Sequence, residues 1–246
     1  MPVRESGPRF LEPLLGIVFD LDGTLVLSHH DFGRIRAEVI RVAQKYGIVP
    51  GHLSVHDPVH RIVEAAREEF RASGAPDGTV YRFEAEYQHR IDAIELEALP
   101  RTVVRPGAAE LLGALTTRGF RLGVLTRASE TFARKALVRT QLDGFFPYLR
   151  SRSAPGPAKP SPEALLLLLH EMGVPLDRAL YVGDHLIDVE CATRARVRFY
   201  ALLPDPSEAT AATITEERFL AAGASAIAHD LPELARHLAV AAPRAA

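Results

Sequence analysis

The stretch IVFDLDGTLV, residues 17–26, is an apolar run that ends in two carboxylates separated by one leucine. Its apolar part is typical of a buried β-strand, which places Asp20 and Asp22 at the end of that strand. Two carboxylates this close repel each other, and partial burial raises the free energy of ionising both. A bound cation would offset that cost, as would a reaction that needs one carboxylate charged and the other sometimes protonated. The stretch therefore predicts a strand end at which chemistry takes place.

Composition sets the broad class of the protein. The chain has 246 residues, 47% hydrophobic and 24% charged, which is ordinary for a globular protein. A net charge of −2 does not favour binding to nucleic acid or to an anionic membrane. The single cysteine, Cys191, excludes an internal disulfide and fits a reducing compartment. Neither a signal peptide nor an apolar run of membrane-spanning length is present, so we expect a cytoplasmic protein without a membrane partner.

Short apolar runs alternate with helical patterns along most of the chain. Parallel strands separated by helices are typical of a doubly wound α/β sheet, which is the predicted fold class. The predicted strands are 14–19, 121–126, 179–184, 197–203 and 224–230, and the predicted helices are 106–115, 129–140, 161–172 and one that follows residue 230.

One region interrupts this alternation. Between residues 28 and 100, apolar residues recur at helical spacing and no strand-like run is found. We predict an inserted all-helical domain over 28–100. The sheet domain would then consist of 14–27 and 101–246, preceded by an N-terminal tail over 1–13.

Polar residues end three of the predicted strands. Asp20, Thr126 and Asp184 should meet at one edge of the sheet, because ligands of open α/β sheets bind beyond the carboxyl ends of the strands. Lys159, in the proline-rich loop SAPGPAKPSP, could reach the same edge. Carboxylate oxygens are ligands that suit Mg²⁺, and a cation beside a lysine and a hydroxyl suits a phosphoryl group.

Four segments in this order carry a family resemblance. DLDGTL (20–25), the strand ending at Thr126, KP (159–160) and GDHLIDVECA (183–192) resemble the motifs of the haloacid dehalogenase-like (HAD-like) hydrolases. The resemblance implies a Rossmann-like core with a helical cap, and the overall pattern looks most like the phosphoglycolate phosphatase-like branch. Two positions depart from the family pattern: His185 stands where serine is frequent, and Arg196 stands where glycine is frequent.

The resemblance also implies roles for individual residues. Asp20 would attack phosphorus and become an aspartyl-phosphate, and Asp22 would protonate the leaving oxygen and later accept a proton from water. Thr126 and Lys159 would hold the phosphoryl oxygens, and Arg127 could contact an anionic substrate. The implied Mg²⁺ ligands are Asp20, the backbone carbonyl of Asp22 and Asp184, with Asp188 as a support or water-mediated ligand.

Simpler interpretations exist for several of these residues. Asp20 and Asp22 do not open a calcium loop of the EF-hand type, since loop position six is Leu25 and position twelve is Asp31. Asp184 could cap the helix that begins near Leu186, and Asp188 could simply favour the helix N-terminus.

Histidines near the start of the insertion also permit a functional interpretation. His52, His56 and His60 are spaced by four residues, but Asp57-Pro58 predicts a helix start between them, so surface positions are expected. His29, His30 and Asp31 could contact a substrate or form a solvated linker.

The sequence predicts a Mg²⁺-dependent phosphatase that acts on a small phosphorylated metabolite through an aspartyl-phosphate, as a monomer or homodimer. A sugar phosphomutase of the same family uses a similar pair of aspartates and is left open. A non-catalytic binding or regulatory protein that keeps the fold is the alternative from another class.

Overall fold

The computed structural model describes residues 14–205 and 215–238, so the predicted tail over 1–13 lies outside the described residues. In chain order the elements are β1 (Gly16–Phe19), β2 (Val26–Leu27), α1 (Phe32–Lys45), α2 (Val59–Ala72), α3 (Thr79–Ala98), β3 (Val103–Val104), α4 (Ala108–Thr117), β4 (Arg121–Leu125), α5 (Glu130–Arg139), β5 (Tyr148–Arg150), α6 (Pro162–Met172), β6 (Ala179–Gly183), α7 (Leu186–Ala195), β7 (Arg198–Leu202), α8 (Glu216–Ala222), β8 (Ala226–Ala228) and α9 (Leu231–His237).

The main sheet has six parallel strands in the order β5-β4-β1-β6-β7-β8. After β1 the chain builds two strands on one side and then three on the other, so the order reverses beside β1. The predicted doubly wound α/β fold is therefore confirmed. This reversal opens the crevice at the carboxyl ends of β1 and its neighbours in which such sheets bind ligands.

The hydrophobic core explains why the strands read as continuous apolar runs. Val18, Tyr181 and Phe199, from three neighbouring strands, pack in one buried cluster with residues of α6, α7 and α8. Cys191 lies in this cluster as a small, fully buried core residue.

Two strand pairings were missed by the sequence analysis. The edge strand β5 has only three residues, and β2 pairs with β3 as an antiparallel ribbon of two residues each. Segments this short carry no measurable periodicity, so their pairing depends on the strands that lie beside them. The ribbon pairs Leu27 with Val103, so the chain leaves the sheet unit and re-enters it at neighbouring strands.

The chain divides into two compact units, of which one is His29–Arg101 and the other comprises the remaining described residues. The helical unit has a core of its own, built from α1, α2 and α3 around residues such as Val39, Ala66 and Phe83. Within the described ranges, no helix combines the length and the apolar composition that crossing a membrane requires.

Several predicted details of the helical unit need comment. Helix α2 begins at Val59, as Asp57-Pro58 predicts, but its N-cap is Pro58 and not Asp57, and it has no side-chain cap bond. Asp31 caps α1, since its carboxylate accepts a hydrogen bond of 2.8 Å from Arg34 N. His52 pairs with Glu69 at 3.2 Å from Nδ1 to Oε1, on the surface of the unit.

Candidate active site

The loop after β1 is a tight turn that fixes the first two carboxylates. Asp20 N still bonds to Val182 O of β6 at 2.9 Å, and Leu25 N then bonds back to Leu21 O at 2.8 Å. Gly23 adopts a φ of +83°, which a residue with a Cβ atom rarely takes. A Cβ atom at Gly23 would also lie 2.2 Å from Oδ2 of Asp184. Glycine is therefore required here for two independent reasons.

Substitution of Gly23 tests this geometry. Gly23→Ala is expected to lower the free energy of unfolding by about 1–2 kcal/mol from the left-handed backbone and by about 1–3 kcal/mol more from the clash with Asp184. Gly119→Ala is the matched control, because Gly119 has a φ of +80° with nothing within 4 Å of an added Cβ. Chemical denaturation of both variants gives the comparison. Equal losses would mean that Asp184 does not approach the turn.

Three buried carboxylates converge at this edge of the sheet. Asp20, Asp184 and Asp188 each place one carboxylate oxygen within 4.8 Å of the others, and their exposures are 7%, 6% and 0%. No other such group occurs within the described residues. Asp20 directly follows β1 and Asp184 directly follows β6, as predicted, and Asp188 reaches them from the first turn of α7.

Burial makes the ionised form of Asp20 and of Asp184 costly. Burial raises the pKa of Asp20 to about 7, although the charge of Lys159 opposes this rise. Burial also raises the pKa of Asp184 well above its usual value, and the charges of Asp20 and Asp188 add to that rise. The folded protein thus holds the Asp20 proton to a higher pH than the unfolded chain does. Without a cation, ionising Asp20 costs stability as the pH rises from about 4 to about 7. A bound cation would remove that cost.

Lys159 is the buried cation at the centre of the cluster. Its exposure is 2%, and its Nζ donates to Asp20 Oδ1 at 2.5 Å, to Asp188 Oδ1 at 2.7 Å and to Tyr181 Oη at 3.0 Å. Burial alone would lower the pKa of Lys159, but the charges of Asp188 and Asp20 outweigh it and raise the pKa. The lysine therefore stays protonated and neutralises part of the acidic cluster.

Asp188 is held on both of its oxygens. Oδ1 accepts from Tyr181 Oη at 2.7 Å as well as from Lys159, and Oδ2 accepts from His185 N at 3.1 Å. His185 is the N-cap of α7, and its Nδ1 accepts from Ile187 N at 3.2 Å. The simpler interpretation that Asp184 only caps this helix is therefore wrong. At the other end of α7, Arg196 adopts a φ of +56°, which accounts for the usual glycine at that position.

Asp184 and Asp22 are oriented by hydroxyl groups. The Oγ1 of fully buried Thr24 donates to Asp184 Oδ1 at 2.7 Å, which leaves Asp184 Oδ2 directed toward the turn at Gly23. Asp22 Oδ1 accepts from Ser28 N at 3.1 Å and from the Ser28 hydroxyl. Each carboxylate thus has one oxygen oriented by a hydroxyl group of the protein.

Thr126 and Arg127 lie at the end of β4. Thr126 has an exposure of 3%, and its Oγ1 accepts from Ala128 N at 3.1 Å, so the hydroxyl proton can be donated to a ligand. The Arg127 guanidinium donates to the backbone carbonyl of Lys159. Arg127 therefore ties the lysine loop to β4, and its contact with an anionic substrate stays a prediction.

A model of the haloacid dehalogenase-like hydrolases matches residues 14–196, which is well over half of the chain. The chain belongs to this family. The match spans the whole sequence from β1 to the end of α7 and includes all of the residues that form the acidic cluster.

Individual relatives agree with this membership. The HAD-like hydrolase described here is 31% identical over 198 residues to a phosphoglycolate phosphatase from Pseudomonas fluorescens, covering 76% of this chain and 68% of the relative. Its fold is similar to that of a hydrolase from Pseudomonas syringae, with a TM-score of 0.65, 21% identity and coverage of 93% and 100% of the two chains. It is also similar to a candidate β-phosphoglucomutase from Thermotoga maritima, with a TM-score of 0.60, 20% identity and coverage of 93% and 100%. The family and its phosphatase relatives confirm the predicted HAD-like phosphatase class.

The sequence analysis missed several residues of this HAD-like site. Thr24 lies within the first motif, but the sequence did not indicate its role. No local sequence pattern identified Ser28, Arg105 or Tyr181 as residues of the site. Gly183 also contributes, since a Cβ there would lie 2.7 Å from the Asp188 side chain. The only signal in the sequence was that Thr24 and Gly183, a polar and a small residue, lie close to Asp22 and Asp184 within the motifs.

A separate cavity of about 740 Å³ lies on the surface of the helical unit. Three of its arginines already pair with glutamates, namely Arg34 with Glu97, Arg41 with Glu38 and Arg90 with Glu86. It brings together no buried, mutually repelling charges, so the acidic cluster of the sheet unit is the better candidate for catalysis.

Proposed function

We propose that this hydrolase is a Mg²⁺-dependent phosphatase that cleaves a small phosphorylated metabolite through an aspartyl-phosphate on Asp20. The observation that carries the proposal is the cluster of Asp20, Asp184 and Asp188 around Lys159, buried at the carboxyl edge of the sheet. An acidic cluster with a central lysine is what a phosphoryl group and a hard cation need together. A cytoplasmic enzyme acting as a monomer or homodimer is part of the same proposal.

The donor set fits a hard cation. Asp20, Asp184 and the backbone carbonyl of Asp22 would hold Mg²⁺, which would neutralise negative charge shared between Asp20 and a phosphoryl oxygen. Asp188 has Oδ1 committed to Lys159 and Tyr181, and Oδ2 committed to the His185 amide. These bonds favour a supporting role for Asp188, through Lys159 or through a water molecule.

The chemistry assigned to the residues proceeds in two steps. A carboxylate oxygen of Asp20 forms a bond to phosphorus while the bond to the leaving oxygen breaks, and Asp22 gives its proton to that oxygen. In the second step the oxygen of a water molecule forms a bond to phosphorus and Asp22 accepts a proton from that water, while the bond between Asp20 and phosphorus breaks and inorganic phosphate leaves. Lys159 and Thr126 would hold phosphoryl oxygens during both steps.

The substrate class rests on the relatives. Several curated relatives at about 30% identity are phosphoglycolate phosphatases, so a small phosphorylated acid is the first substrate to try. The experiment is a panel of phosphorylated metabolites, assayed for released phosphate with Mg²⁺ and with EDTA. Mg²⁺-dependent release supports the proposal. Isomerised sugar phosphate without net release would indicate a phosphomutase, and no turnover of any substrate would favour a non-catalytic protein.

Asp184→Asn should separate metal binding from folding. Because ionised Asp184 is costly in the metal-free site, the variant is expected to unfold at the same or a higher temperature than wild type without Mg²⁺. Its gain in melting temperature on adding Mg²⁺ should be smaller, and kcat should fall with it. Thermal unfolding and phosphate release over a Mg²⁺ titration measure both effects. Full activity of this variant at sub-millimolar Mg²⁺ would refute the assignment of Asp184 as a ligand.

A further inference from the structure

Arg105 is a buried arginine of the VVRPG segment that joins three separate parts of the sheet unit. Its exposure is 4%, and its backbone N donates to Leu25 O at 2.9 Å. Its guanidinium donates from Nη1 to the carbonyl of Gly23 and from Nη2 to Leu203 O at 2.6 Å. One residue therefore holds the loop that carries the first motif against the end of β7.

The bonds from Arg105 to Gly23 and Leu25 lie in the turn that directly follows Asp22. Gly23 directly follows Asp22, and the space above Gly23 is filled by the carboxylate of Asp184. Leu25 is next to Thr24, whose hydroxyl orients Asp184. Displacement of this turn would therefore move both the Asp22 backbone and the hydrogen bond that sets the direction of Asp184.

The charge of Arg105 complements that of the acidic cluster. A buried guanidinium is costly unless opposite charge lies near it. The charge of Arg105 acts on Asp184, since it counteracts part of the rise that burial and the neighbouring acids cause in the pKa of Asp184. Lys159 contacts Asp20 and Asp188, so the charges of Lys159 and Arg105 act on different carboxylates.

We propose that Arg105 is a positioning residue of this site, which fixes the Gly23–Leu25 turn and thereby the geometry of the Mg²⁺ ligands and of Asp22. The inference rests on the proposed function and extends it to a residue outside the four motifs. The planar fork of arginine can bond two carbonyls at once in fixed directions, which the point donor of lysine does not reproduce.

The test compares Arg105→Lys with Arg121→Lys. Arg121 also bonds two carbonyls, donating from Nη1 to Met172 O at 2.9 Å and to Gly173 O at 2.8 Å, but it lies at the opposite end of β4 from the site. Arg105→Lys keeps the charge and is expected to raise the Mg²⁺ concentration for half-maximal thermal stabilisation by about 10-fold or more, and to lower kcat about as much. The KM for substrate should change less than threefold, and Arg121→Lys should match wild type in all three quantities.

Arg105→Gln provides a second variant that keeps an amide donor and lacks the charge, and it is judged by the same readouts if the lysine variant does not fold. A lower kcat and a shifted Mg²⁺ midpoint in a folded variant support the inference. Values within twofold of Arg121→Lys in both readouts would overturn it. If wild type releases no phosphate from any substrate, the proposed function fails, and the Mg²⁺ midpoint then decides the role of Arg105 separately.

Discussion

Replacing Asp22 by asparagine is expected to slow cleavage of an alkyl phosphate by about 10²–10⁴-fold while sparing the first turnover of p-nitrophenyl phosphate. A sugar or hydroxy-acid alcohol leaves as a strongly basic alkoxide, which needs a proton in the transition state. A p-nitrophenolate is a stable anion and needs none. The difference between the two substrates therefore isolates the proton that Asp22 is proposed to give.

The structure makes asparagine a conservative change at this position. Asp22 Oδ1 accepts from the amide and the hydroxyl of Ser28, and an asparagine oxygen can accept the same two bonds. The side chain should therefore stay in place, while the oxygen that would carry the proton is replaced by an amide nitrogen. Loss of activity in this variant would reflect proton transfer and not a rearranged loop.

Hydrolysis of the aspartyl-phosphate still lacks its base in this variant. With p-nitrophenyl phosphate we expect a burst of about one p-nitrophenolate per site, followed by a slow steady state, in rapid-mixing kinetics. Asp20→Asn is the control and should show neither phase, because it removes the nucleophile. Equal rate losses on both substrates without a burst would show that Asp22 is not the acid.

Replacing Lys159 by methionine is expected to cause the largest loss of stability. The ammonium group contacts Asp20 and Asp188 at 2.5 and 2.7 Å in a site that is almost closed to water. Removing one partner of a buried ion pair typically costs about 3–5 kcal/mol, because the remaining charges are left without compensation. Urea unfolding of the metal-free variant measures the loss.

The loss should depend on pH and on Mg²⁺ in a specific direction. Without Lys159 the pKa of Asp20 rises further, so the variant should be less destabilised at pH 5.5, where Asp20 can bind a proton, than at pH 8. Mg²⁺ and the second substitution Asp188→Asn should each restore part of the stability. Lys135→Met, on the exposed face of α5, is the control, and an equal effect of the two substitutions would contradict the buried ion-pair network.

The sequence by itself determined the parts of this protein that depend on local pattern. Apolar runs followed by helical patterns specified the parallel sheet, because burial on both faces makes such strands continuously hydrophobic. The ends of those runs placed Asp20 and Asp184 at one edge of the sheet, since the carboxyl ends of parallel strands meet there. The roles of Lys159 and Asp188 followed from the resemblance to the motifs of the HAD-like hydrolases and not from the strand pattern.

Only the tertiary structure decided how these residues are held. The bond from Thr24 to Asp184 joins residues 160 positions apart, and that from Arg105 to Leu203 joins residues 98 apart. Tyr181 reads in the sequence as one more apolar residue of a strand, yet its hydroxyl contacts both Lys159 and Asp188. Hydrogen bonds of this kind have no period along the chain. They depend on strand order and on the register of β1 against β6, which is fixed by packing of the whole sheet and not by any local segment.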